Sequence, residues 1–95
     1  MSHDPEWPHG AAYAHLWARV PPRWSGIAVG VHWAQIVLDT DAALAELDPD
    51  YEIHQVKEKM GGLRYYCSID HLHQAQAIIR NAERRSLIEY PGGHI

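Results

Sequence analysis

A single cysteine, Cys67, stands among 95 residues. No internal disulfide can form, and zinc sites built from four cysteines are excluded. A lone thiol fits a reducing cytosol. Phenylalanine is absent, while tryptophan occurs four times and tyrosine five. Asn81 is the only asparagine, and lysine stands only at positions 57 and 59. This bias suits a GC-rich genome, such as an actinobacterium or one of its phages. No apolar run approaches the roughly 20 residues that span a bilayer, so membrane insertion is not expected. The opening "MSHDPEWPHG" has no basic region and no apolar core, and does not read as a signal peptide. A cytoplasmic location is the expectation. Positive charge is also short: eight Lys and Arg against twelve Asp and Glu, a net −4. That argues against a globally nucleic-acid-binding protein and leaves room for a local basic patch.

What is present suits one folded domain over 1–95. Hydrophobic residues make up 46% and charged residues 21%, ordinary for a globular chain. Residues 1–9 carry Pro5 and Pro8 and no periodicity, and read as an irregular arm. In "GAAYAHLWARV" (10–20), Tyr13, Leu16, Trp17 and Val20 form one helical stripe, stopped by Pro21-Pro22. Residues 23–33 read as a loop or strand leading into the next helix. That helix is 32–48, with Trp33, Ile36, Val37, Leu44 and Leu47 on its apolar side and Asp39, Asp41 and Glu46 pointing elsewhere. Pro49 ends it. The last helix is predicted over 70–90, capped by Asp70 or Ser68, with Leu72, Ala75, Ile79, Ala82 and Leu87 as its buried stripe. Residues 91–95 form a tail.

Between the helices lies "HQVKEKMGGLRYYC" (54–67), read as two strands around a Gly61-Gly62 turn. That turn would set Lys59 opposite Arg64, Lys57 opposite Tyr66 and Glu58 opposite Tyr65. Alternation then places Val56, Glu58, Met60, Leu63, Tyr65 and Cys67 on one face, and Gln55, Lys57, Lys59, Arg64, Tyr66 and Ser68 on the other. Like charges directly opposite each other destabilise a sheet. A carboxylate at Glu58 on the core side is costly unless paired. The plainer reading of Lys57, Lys59 and Arg64 is a solvated edge that deters aggregation. The functional reading is a site for an anion or an acidic partner, with Arg64 as the bidentate group. A third reading pairs Glu58 with Arg80 or Arg84 and clamps the last helix to the sheet.

The segment "QVKEKMGGLRYY", followed by "AERRS", resembles a family of small, largely uncharacterised proteins of bacteria and their phages that share a K-E-K-F-G-G-L-R-F-Y-like motif. The resemblance covers about residues 33–86. It implies that Lys57, Glu58, Lys59, Gly61, Gly62, Leu63, Arg64 and Tyr66 are signature positions, and it implies no particular reaction. Met60 and Tyr65 stand where that motif has Phe. Many members continue into a cysteine pair like half of a zinc ribbon; here the corresponding stretch reads "LIEYPGGHI", without cysteine.

Other chemistry has thin support. His71 and His73 lie near Asp70 and Cys67, but side chains two apart on a helix do not face together, so no metal site is expected. Cys67 is turned toward the core. Ser25, Ser68 and Ser86 lie in no nucleophile elbow, and no phosphate loop or dinucleotide fingerprint occurs. Trp17 and Trp33 read as core and Trp24 as packing; Trp7 is a candidate interface anchor.

The expectation is an α+β fold: an antiparallel hairpin, with or without a third strand, packed on two or three helices. The expected function is a non-enzymatic cytosolic binding protein, phage- or prophage-derived and acting on a host protein. Its candidate binding residues are Lys57, Lys59, Arg64, Tyr66 and Trp7, with Glu58, Gly61, Gly62 and Leu63 as structural motif and no cofactor. The alternatives are an anion- or phosphate-binding or hydrolytic domain using the 57–66 hairpin, or a nucleic-acid module on the same basic face.

Overall fold

The computed structural model describes residues 10–89. The arm 1–9, with Trp7, and the end of the chain from 90 lie outside the described residues. The element order is α1 (Gly10–Tyr13), β1 (Gly26–Ala28), α2 (Ala34–Leu47), β2 (Glu52–Lys59), β3 (Gly62–Ser68) and α3 (Leu72–Glu89). This is a small α+β domain with a three-stranded mixed sheet. The strand order is β1-β2-β3, with β1 parallel and β3 antiparallel to the central β2.

The first helix is shorter than its stripe suggests. After Tyr13 the chain continues as a 3-10 helix, Ala14–Arg19. Tyr13, Leu16 and Arg19 are spaced by three, which a 3-10 turn lines up on one side. Tyr13 and Leu16 are buried there, and Arg19 reaches the second helix. The glycine-rich stretch after the prolines does supply the third strand. Gly26 has φ +82°, and a Cβ at that position would lie 2.3 Å from the Trp17 ring. Both the positive φ and the close approach require glycine.

The core joins Tyr13, Leu16, Ile27, Trp33, Ile36, Val37, Leu44, Tyr51, Ile53, Val56, Leu63, Tyr65, Ala75 and Ala82 among others. Each large side chain buried here contributes about 1.5–3 kcal/mol. The helices therefore cover the sheet face that carries Ile27, Val56, Leu63 and Tyr65. The opposite face carries Gln55, Lys57, Arg64 and Tyr66.

The hairpin turn lies one residue earlier than expected. Lys59 pairs with Gly62, and the two central residues are Met60 (φ 56°) and Gly61 (φ 84°). Two positive φ values mark a type I′ turn. Gly62 contributes in a different way. A Cβ there would lie 3.2 Å from Leu87 Cδ2, so this glycine lets α3 approach the strand. The new register sets Lys57 opposite Arg64, Glu58 opposite Leu63, Gln55 opposite Tyr66 and Val56 opposite Tyr65. Moving the turn by one residue on both strands preserves the division into faces. An irregularity between Ile53 and Gln55 then brings Ile53 opposite Cys67. Met60 is 90% exposed rather than on the core side, because it has become the tip.

Three further expectations change. Asp41 does not point away: it is 6% exposed and belongs to the core side of α2. In α3, Leu72 and Leu87 are each 54% exposed, while Ser86 is buried. The buried stripe runs Ala75–Ala82–Ser86, with Ile78 and Ile79 at its margin. Neither Asp70 nor Ser68 caps α3. The helix begins at Leu72, and the His71 carbonyl accepts from the Ala75 N–H at 3.0 Å, which puts His71 in the cap position. The Asp70 N–H instead donates to Asp48 Oδ2 at 3.0 Å, and Asp48 Oδ1 accepts from the Asp50 N–H at 3.0 Å. Asp48 thus ties the α2–β2 turn to the β3–α3 turn.

Candidate functional site

The eight Lys and Arg side chains divide sharply. Arg19 pairs with Asp41, Arg23 with Glu52, and Arg85 with Asp39 and Glu89. Lys57, Lys59, Arg64, Arg80 and Arg84 pair with no carboxylate among the described residues. Three of these five come from the hairpin, and alternation puts them on the sheet face opposite the core, with Leu87 of α3 close to its Gly62 end. Lys57 and Arg64 are direct cross-strand partners, so their repulsion is built into the register. Tyr66, 43% exposed, lies on the same face. Gly61 and Gly62 shape the tip and the helix contact, and Leu63 is fully buried.

Glu58 is not a clamp. It is exposed near the hairpin end, opposite Leu63, and forms no ion pair with Arg80 or Arg84. It lines none of the described clefts. The tie between helix and sheet is Ser86, whose Oγ accepts the Leu63 N–H at 2.9 Å and donates to the Glu83 carbonyl at 2.7 Å. The tie between the two long helices is Arg85, which reaches Asp39 at 3.1 Å and Glu89 at 2.9 Å. Both carboxylates hold its guanidinium still more firmly protonated than usual, Glu89 first.

A buried polar network is the part that strand and helix patterns did not disclose. Asp41 accepts from Arg19 Nε at 2.8 Å and from the Tyr51 hydroxyl at 2.6 Å. The Tyr51 proton is committed to Asp41, so the Tyr65 hydroxyl donates to Tyr51 across 2.6 Å. Arg19 also donates to the Pro49 carbonyl at 2.7 Å and lies over the Tyr51 ring, 4.6 Å from its centroid. His15 Nε2 stands 3.8 Å from Asp41. One signal for this was available: Val37, Asp41 and Leu44 follow at i, i+4 and i+7, which places the carboxylate in the apolar stripe.

The network borders a cleft of about 580 Å³ lined by His15, Arg19, Pro21, Pro49, Asp50 and Tyr51 among others. Its charges are mixed in sign and largely paired. Burial pushes the Tyr51 phenol well above its ordinary range, with Tyr65 and Asp41 adding to the shift. Burial does the same to Tyr65. Both phenols therefore stay protonated at ordinary pH and act as hydrogen-bond donors. Cys67 is half-buried, and burial raises its thiol to about 11, so it behaves as a small apolar side chain.

Trp24 is 40% exposed and stacks on His54, with centroids 4.0 Å apart and an interplanar angle of 12°. It shields one ring face rather than packing fully into the core. Trp33 is fully buried and Trp17 packs against the core. Among the described residues, no three His, Cys, Asp or Glu side chains converge as metal ligands. Among them, too, no helix is long and apolar enough to cross a membrane. No protein-family profile, curated protein or solved structure matches this chain.

Proposed function

We propose that this domain is a binding protein, rather than an enzyme, that takes an acidic segment of a protein partner on the open face of its sheet. One observation carries the reading. Three hairpin cations, Lys57, Lys59 and Arg64, lack a carboxylate partner among the described residues, in a chain with four more acidic than basic groups. Carboxylates are plentiful, yet none among the described residues neutralises this face. Unpaired cations on a flat face favour an acidic partner through steering and complementarity. Arg64 can grip a carboxylate with two parallel hydrogen bonds, and the lysines act as point charges. Tyr66 adds an amphipathic contact of the sort common at interfaces.

In this reading the protein works in a reducing cytoplasm, in keeping with its lone half-buried thiol. It is a phage- or prophage-borne chain acting on a host protein, in keeping with its composition and its motif. A hydrolytic role for Glu58 has less support, because that carboxylate is exposed and lines none of the described clefts. Nucleic acid is disfavoured by the net charge of −4.

The test is retention of host proteins on the immobilised wild type and on a Lys57→Glu/Lys59→Glu/Arg64→Glu variant. The reading expects a protein held by the first and lost by the second. Deleting an acidic segment from that protein should abolish its retention. Equal retention by both baits removes the hairpin from the account.

A further inference from the structure

We propose that the free edge of β3 receives an extended segment of the partner as a fourth strand, with side chains alternating acidic and apolar. This rests on the cationic-face reading for the partner's charge and adds the backbone contact that holds it.

β3 ends the strand order, so one of its edges has no strand beside it. One hydrogen bond shows which backbone groups point there. The Leu63 N–H donates to Ser86 Oγ at 2.9 Å, away from β2. In an antiparallel strand, alternate residues direct their N–H and C=O to alternate edges. Tyr65 and Cys67 therefore point outward, as Leu63 does. The fold closes the Leu63 position on both groups: Ser86 takes its N–H, and Arg64 Nη1 donates to its carbonyl at 3.0 Å. Nothing among the described residues closes the backbone groups of Tyr65 and Cys67 in this way. An open edge of this kind is a template for another chain.

A groove of about 440 Å³ runs beside those residues, lined by Tyr65, Tyr66, Cys67, Leu72, Ile79 and Arg80 among others. Leu72 is 54% exposed within it. An added strand would send alternate side chains to opposite faces. Those on the helix side would meet Leu72 and Ile79, flanked by Gln76, Arg80 and Glu83; the two apolar side chains, and the Glu83 carboxylate beside them, favour apolar over acidic residues there. Those on the open side would lie beside Arg64 and Tyr66, with Lys57 on the next strand, which favours carboxylates. A second copy is a poor occupant, because its β3, "GLRYYCS", carries Arg64 and no carboxylate. The open ladder spans only Tyr65 and Cys67, so binding should be modest and weakened by salt.

The experiment uses a short capped peptide that alternates glutamate and isoleucine, read by amide hydrogen exchange. In the free protein, the Tyr65 and Cys67 amides should exchange faster than that of Leu63. Saturating peptide should slow both by at least about tenfold. Lys57→Glu, which removes no backbone contact, should weaken the peptide by roughly tenfold. The same peptide N-methylated on its ladder-facing amides should not bind. Three results would overturn strand addition: Tyr65 and Cys67 protected in dilute free protein, protection that rises with protein concentration alone, or undiminished binding of the N-methylated peptide. The last leaves the cationic-face reading intact. Protection by peptide that Lys57→Glu does not alter would instead overturn the acidic half of the proposal.

Discussion

Ser86, buried on the third helix, accepts the backbone N–H of Leu63 at 2.9 Å and so ties α3 to the edge of the sheet. The two residues come from the two short segments that stand out in the sequence, "GGLRYY" and "AERRS". Their juxtaposition is physical: Gly62 leaves room for Leu87, and the next residue's amide meets the serine hydroxyl.

Ser86→Ala should therefore leave a buried N–H unpaired. The expected loss is about 1–3 kcal/mol of unfolding free energy, measured by urea denaturation. The Leu63 amide should also exchange faster. An unchanged midpoint would show that the hydroxyl is replaceable by solvent.

Asp41→Ala should be more damaging, because it strands the Arg19 guanidinium and the Tyr51 hydroxyl. Breaking a buried pair costs about 3–5 kcal/mol, and the partial exposure of Arg19 brings the expectation to about 2–3. A cycle with Arg19→Met should reveal a coupling of about 1–2 kcal/mol between the two sites. Additive losses would mean that the ion pair contributes little beyond packing.

Asp48 predicts part of the acid limb of stability. Hydrogen bonds from the Asp70 and Asp50 amides hold its carboxyl below the usual range, with His71 and Arg19 adding to the effect. A depressed folded-state pKa means that the unfolded chain binds the proton more readily. The Asp48 contribution is then fully present above the unfolded value and fades as pH falls through the folded one. Urea midpoints of wild type and Asp48→Ala should differ by a constant amount above about pH 5 and converge below it. A gap that persists into strong acid would contradict this assignment.

Met60 sits at the tip with φ 56°, a conformation its side chain does not favour. Asparagine suits the first position of a type I′ turn followed by glycine. Met60→Asn should raise unfolding free energy by about 0.5–1 kcal/mol, since this 90%-exposed side chain contributes little packing. Destabilisation in thermal melts would indicate that the tip is held some other way.

The helices around Trp33 and Ala82, the hairpin and its two faces were legible because side-chain periodicity reports burial directly. The turn position was not, because two glycines and a methionine fit adjacent registers, and local pattern does not choose between them. The roles of Asp41 and Ser86 are hidden in the sequence for the opposite reason. A polar residue in an apolar stripe reads as a break until its partners, Arg19 and Leu63, are brought together by folding. Cationic Lys57 and Arg64 were visible at once, whereas the ion pairs of Arg19, Arg23 and Arg85 were not.

The central claim is that Lys57 and Arg64 hold an acidic partner segment. Its most direct measurement is calorimetric titration of that segment into wild type, Lys57→Glu and Arg84→Glu. The two variants change net charge equally, but Arg84 is an exposed residue of α3 and not of the hairpin. The account predicts affinity lowered at least about tenfold by Lys57→Glu and left within about twofold by Arg84→Glu. Equal weakening by both variants, or by neither, would contradict it.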